Sequence, residues 1–191
     1  MRDISLILCY NVIMRTAFIG HRKLFSKNII ERLLIAIQNE IENGCTAFTM
    51  GTHGDFDRLA LTVCRNLRKI YKNLEIEVVI TSLNSIKRDN NYDIFPYADV
   101  KTVMFDIENI HYKHRITWSN LRMIDGCSTL ICYVNKAEYK SGAKTALRYA
   151  EKRGLKIINL FREDDNPFFG MTKEQKEESL QSFITEKVPK K

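Results

Sequence analysis

The sequence has no cysteine pair at C-x-x-C spacing, no apolar run of membrane-spanning length, no internal repeat and no low-complexity segment. Each absence removes a class of protein. The five cysteines, Cys9, Cys45, Cys64, Cys127 and Cys132, are odd in number and mostly lie in apolar runs. They signal neither a disulfide framework nor a zinc ribbon, and they fit a small-hydrophobe role in a reducing cytoplasm. The run Ile4 to Cys9 is too short for a signal-peptide core and precedes no cleavage site, and no run suggests a membrane partner. His111 and His114 stand three apart without a third ligand at metal spacing, so no metal is expected. No cofactor-specific motif occurs either.

What is present is an ordinary globular composition: 191 residues, 45% hydrophobic and 28% charged. That is one domain's worth of chain with enough apolar surface for a proper core. The net charge of +7 suits an anionic partner. Part of the excess lies on plain helix faces and in the tail Lys187, Lys190 and Lys191, so nucleic acid is not the favoured partner.

Apolar runs alternate with helical stripes. Strand-like runs occupy Met14–Ile19, Cys45–Met50, Glu75–Leu83, Ser128–Val134 and Leu155–Phe161, with a short edge strand at Lys101–Phe105. Helical spacing covers Ser26–Asn43, with Ser26 as N-cap and Gly44 as stop, then Asp55 to Asn73, His111–Asp125 and Gly142–Arg153. The alternation predicts α/β architecture: a Rossmann-like three-layer sandwich with a mainly parallel sheet. Residues 1–13 read as an extension that could add an edge strand, 14–165 as the domain, and 166–191 as a helix capped by Thr172 plus a basic tail. The polar stretch Asn84–Val100 breaks the pattern and reads as a long functional or mobile loop.

Three polar loops each follow a strand and open a helix: Gly20-His21-Arg22, Gly51 to Asp55, and Lys140 to Thr145. A parallel sheet gathers such loops at one edge, where helix-start amides suit a phosphate. The run at Met14 is expected beside the run at Ser128, which makes the switch point and ligand crevice. Arg22 forks onto phosphate, and His21 donates a hydrogen bond or shuttles a proton; the plain alternative is a turn with two solvated residues. Gly51 and Gly54 permit close backbone approach, Asp55 caps a helix, and Asp57 takes a ribose hydroxyl or acts as a general base. Gly142, Ala143 and Thr145 either seat a phosphate or simply start a helix. Asn120 and Met123 lie one turn apart, where Asn120 reads a base or sugar. Trp118, the only tryptophan, either stacks on a ligand or packs.

Four segments together resemble the SLOG superfamily, and more narrowly its bacterial and phage branch with a GHR signature. They are Thr16–Arg22, the G-x-x-G-D-F-D segment Gly51–Asp57, the N-x-x-M-I-D segment Asn120–Asp125, and the S-G-A segment Ser141–Ala143. The resemblance spans Met14 to Leu160. It implies a Rossmann-like fold that binds nucleotides or nucleotide-derived ligands. Relatives include cytokinin-activating phosphoribohydrolases, the DNA-processing protein of natural transformation, and sensor domains for nucleotide signals in anti-phage systems; relatives often self-associate. Position by position it implies ligand-binding roles for Gly20, His21, Arg22, Gly51, Gly54, Asp57, Asn120, Met123, Gly142, Ala143 and Thr145, with Asp125 in the same segment. Two features depart from the pattern: Ser119 stands where Arg often precedes the Asn, and Ser141 stands where the final loop often has a second glycine. The phosphoribohydrolases use P-G-G-x-G-T-x-x-E with a catalytic Glu, and here Gly142–Arg148 contains no carboxylate. An enzyme of this kind would have to use Asp57 or Asp125. The leading expectation is therefore a protein that senses or sequesters a nucleotide signal. A nucleotide hydrolase cleaving a glycosidic or phosphate bond is the alternative, and a nucleic-acid-binding protein comes third.

Overall fold

A computed structural model describes residues 14–24, 26, 28–81, 97–106, 109–138, 141–165, 172, 174 and 175. The expected N-terminal strand, most of the 84–100 loop, and the terminal helix beyond its first turn lie outside these residues. At that first turn Thr172 N–H donates to Gln175 Oε1 and Gln175 N–H to Thr172 Oγ1, at 3.0 and 3.3 Å. This reciprocal pairing is a capping box.

Six strands form one all-parallel sheet: β1 (Met14–Gly20), β2 (Cys45–Met50), β3 (Glu75–Val79), β4 (Lys101–Val103), β5 (Thr129–Tyr133) and β6 (Lys156–Asn159). Their order is β4-β3-β2-β1-β5-β6. The chain winds outward from β1 to β4, then returns to lay β5 against the free side of β1. Thr16 pairs with Thr129 and Gly20 with Tyr133. The reversal between β1 and β5 is the switch point that the loop pattern predicts, and the architecture is the Rossmann-like α/β domain expected.

Helices α1 (Ile29–Glu42) and α2 (Asp55–Ile70) cover one face, and α3 (Arg115–Asp125) and α4 (Gly142–Lys152) the other. Strand alternation sorts the core between them. Phe18, Phe48, Met50, Ile76 and Val78 face α1 and α2 with Leu33, Ile37, Phe56 and Leu67. Ala17, Ile19, Leu130 and Cys132 face α3 and α4 with Met123, Ile124, Ala146 and Leu147. The apolar stripes on the helices are therefore the driving force for docking them.

Boundaries move where a side chain has another use. Ser26 does not cap α1: the helix begins at Ile29, and Ser26 Oγ takes the Asn28 amide and the Arg32 guanidinium. β3 ends at Val79, after which Ile80 N–H donates to Val103 O at 2.9 Å. The stretch expected to be helical from His111 starts as a 3₁₀ turn, Tyr112–His114, before α3 proper. Gly44 and Gly154 end their helices at φ +91° and +74°, conformations that favour glycine. Among the described residues no helix is long and apolar enough to cross a membrane.

Candidate functional site

The C-terminal ends of β1 and β5 open into a crevice of about 890 Å³. Its floor is Ile19, Tyr133 and Phe161. The first loop supplies Gly20, His21, Arg22 and Lys23; the second supplies His53, Gly54 and Asp57; the segment after β5 supplies Asn135, Glu138, Ser141, Gly142 and Ala143. Asn120, Thr117, Ile116 and Lys113 close it from α3 and the turn before it. Aromatic packing stiffens the floor: Phe56 stacks on Tyr133 with centroids 6.1 Å apart, and Phe161 meets Tyr133 edge-on at 5.3 Å.

The glycines of the first two loops serve the fit between elements. A Cβ on Gly20 would lie 2.4 Å from Phe56 Cγ, so this residue lets α2 enter under the end of β1. A Cβ on Gly54 would lie 3.2 Å from Arg22 Cα and from His21 O. The two loops are stitched there by Asp55 N–H donating to Arg22 O at 2.9 Å. Arg22 itself projects to the exposed rim. Neither it nor Lys23 nor Lys113 forms an ion pair among the described residues.

His21 is more constrained than its loop position suggests. Its Nε2 accepts the Asn135 amide at 2.8 Å, and its Nδ1 lies 3.1 Å from Glu138 Oε2. Burial holds its pKa below the ordinary histidine value, against the pull of Glu138.

In the second loop, Asp57 turns back onto its own backbone. Oδ2 accepts the His53 amide at 3.0 Å, and the Gly54 amide also bonds the carboxylate. Burial nevertheless pushes its pKa up to about 6. Gly51 does not line the crevice; a Cβ there would come within 3.2 Å of Asp57 Oδ2, so this glycine makes room for the carboxylate. Asp55 is the first residue of α2 and pairs with Arg58, leaving the cap position to Gly54. His53 is half-buried, with Nε2 2.7 Å from Thr81 Oγ1. Burial and then the charge of Arg22 lower its pKa.

In the third loop, Ser141 caps α4 by accepting the Lys144 amide at 3.0 Å. Thr145 lies outside the crevice and spends its hydroxyl on Ser141 O at 3.2 Å. Gly142 is open, its nearest atom to an added Cβ being Thr117 Oγ1 at 3.9 Å. On α3, Asn120 faces the crevice, whereas Met123 is buried in the core beneath α3 and α4. Asp125 sits at the far end of α3, bound by the Tyr149 hydroxyl and 3.6 Å from Arg153 Nε. Position along the helix separates the two ends of the N-x-x-M-I-D segment, which rules Asp125 out of the crevice. Trp118 is also outside it, packed edge-on against Phe105 with Arg122 5.1 Å above its ring. Among the described residues no three metal-binding side chains cluster.

Of the expected ligand residues, Gly20, His21, Arg22, Gly54, Asp57, Asn120, Gly142 and Ala143 share the crevice; Gly51, Met123, Thr145 and Asp125 do not line it. The structure adds His53, Asn135, Tyr133, Phe161 and Asp165. Tyr133 and Asn135 were findable from the switch-point rule, because Tyr133 ends β5 and Asn135 follows it by two residues. Asp165 carried no local signal. It is placed by Arg32 of α1, whose Nη2 lies 2.7 and 2.9 Å from its two carboxylate oxygens. No protein-family model matches the chain, and no curated protein matches it either.

Proposed function

We propose that this protein binds a nucleotide or nucleotide-derived small ligand in the crevice between β1 and β5, to sense or sequester it. One observation carries the reading. Loops encoded far apart, at 20–23, 53–57, 135–138 and 141–143, meet around a single cavity large enough for a nucleotide, and its rim carries Arg22, Lys23 and Lys113. Cations without a carboxylate partner among the described residues suit phosphate oxygens. The second loop is not a phosphate seat, since Asp57 already occupies its amides. The SLOG resemblance of the same loops supports the reading.

The test is a panel of mononucleotides, cyclic nucleotides and ADP-ribose derivatives, scored by melting temperature and by chromatography of the ligand afterwards. A ligand that raises Tm and is recovered unchanged supports binding alone. Arg22→Ala is expected to weaken that ligand about 10- to 100-fold, the loss of one charge-assisted phosphate contact, with little change in the Tm of the free protein. Loss of folding in this variant would make Arg22 structural, and a panel without any Tm rise would count against the reading.

A nucleotide hydrolase is the second reading, and Asp57 favours it. A crevice carboxyl with pKa near 6 is partly protonated close to neutrality, which suits acid–base work. Release of a free base or phosphate in the same chromatography would decide for it, with Asp57 and not Asp125 as the acting group.

A further inference from the structure

The ring of His21 ties the first loop to the segment after β5. A backbone amide only donates, so the 2.8 Å contact from Asn135 N–H requires a lone pair on His21 Nε2. The ring proton then sits on Nδ1, with the Glu138 carboxylate 3.1 Å away as a charge neighbour. The main chain repeats the tie, with His21 N–H donating to Tyr133 O at 3.2 Å. Nε2 is committed within the protein and does not remain for a ligand.

We propose that His21 is a positioning residue: its neutral ring latches the Gly20–Arg22 loop to the Asn135–Glu138 segment, and protonating the ring releases that latch. Protonation would set an N–H on Nε2 directly against the Asn135 N–H, and two donors cannot share one bond. Glu138, the charged group in contact with the ring, favours the cation; burial opposes it and prevails, so the neutral form dominates at pH 7. The latch is therefore intact above the ordinary histidine value and is lost as pH falls through the lower value of the folded state. Tyr133 stands edge-on to the ring at 6.4 Å, and Arg22, His53, Asp57 and Lys113 share the same crevice. Because both joined segments line the cavity, the latch fixes how they meet at its edge. The consequence for ligand affinity rests on the crevice being the anion site proposed above; the latch itself does not.

Two measurements separate those claims. In the ligand-free protein, ¹H–¹⁵N correlation of the imidazole is expected to show the Nδ1–H tautomer at pH 8, with the Asn135 amide shift following the ring as it titrates below pH 6.5. His21→Gln places an acceptor where Nε2 was and cannot be protonated, so Asn135 amide protection should persist and stay flat from pH 8 to pH 5.5. His21→Ala should lose that protection about 3- to 10-fold, the effect of one hydrogen bond. An Nε2–H tautomer, or unchanged Asn135 protection in a folded His21→Ala, overturns the proposal. Sulfate, which does not titrate in this range, then serves as the anion probe. The His21→Gln variant should match the unmodified protein at pH 8 and bind sulfate about 3- to 10-fold tighter at pH 5.5. Asp57 and His53 titrate in both proteins and cancel. If the unmodified protein binds sulfate more tightly at pH 5.5, His21 is a direct anion contact and the latch fails. Absence of sulfate binding in both would count against the anion site, while the tautomer still decides the latch.

Discussion

Asp57 is the residue whose two possible roles pull hardest against each other. It keeps a partly exposed edge in the crevice, yet it accepts two amides from its own loop and still has its pKa pushed up to about 6 by burial. A raised carboxyl pKa means that the folded state resists the charged form. Its contribution to stability is complete below the ordinary value and is lost as pH rises through about 6. At roughly 1.4 kcal/mol per pH unit, the cost of carrying the charge near pH 8 reaches at most about 3 kcal/mol. Asp57→Asn keeps an oxygen for the amides without the charge. It is expected to be more stable than the unmodified protein at pH 8, by up to that amount, with the gain vanishing near pH 4. Urea midpoints at pH 8, 6 and 4 measure it. Equal stability at all three would show that the loop amides fully compensate the charge, leaving Asp57 an anchor and weakening the hydrolase reading. His21 and His53 move the other way, since lowered values make their share of stability fade as pH falls, but they act equally in both proteins.

At the scale of elements, helix starts and strand ends make this site, and glycine sets how closely they meet. Gly20→Ala would drive a methyl into the Phe56 ring, with backbone behind one and a packed aromatic cluster behind the other. Overpacking of this kind costs about 1–3 kcal/mol, which lowers Tm by several degrees in a domain of this size. Gly142→Ala meets only Thr117 Oγ1 at 3.9 Å and should leave Tm nearly unchanged, so the pair of melting curves separates a packing glycine from an open one. Strands were the most legible elements. Buried parallel strands read as unbroken apolar runs, and Cys45–Met50 has the same limits in sequence and structure. Helix starts were less legible, because they depend on where a side chain finds its partner. Ser26 has the chemistry of a cap, but Arg32 draws its hydroxyl away. His111 begins a helical pattern, yet its ring accepts the Lys113 amide and the first turn tightens to 3₁₀.

For the whole molecule, the meeting of the three loops was readable because parallel topology alone brings strand ends together. The wall that closes the crevice beyond β6 was not, because it depends on a contact across 133 positions of sequence. Arg32 reaches from the first turn of α1 to Asp165, and also donates to Leu160 O at 2.6 Å. Both partners are mostly buried, with side-chain exposures of 12% and 6%. Burial by itself raises a carboxyl pKa, but Arg32, Ser26 and the Arg162 amide outweigh it and hold Asp165 below the usual carboxylate range. Removing one member of such a pair strands the other charge, at a cost of about 3 kcal/mol or more. Arg32→Met is therefore expected to lower stability by that order at pH 7. The deficit should shrink as pH falls below about 4, because a depressed carboxyl pKa contributes above its ordinary value and loses its contribution as acid protonates it. The double variant Arg32→Met/Asp165→Leu should recover most of the loss, since an apolar pair leaves no charge unpaired. Urea titrations of the three proteins at pH 7 and pH 2.5 test the argument. A double variant no more stable than Arg32→Met would mean that the hydrogen bonds from Arg32 to Leu160 and Ser26, rather than its ion pair, hold the Leu160–Asp165 segment against α1 and keep that wall of the crevice in place.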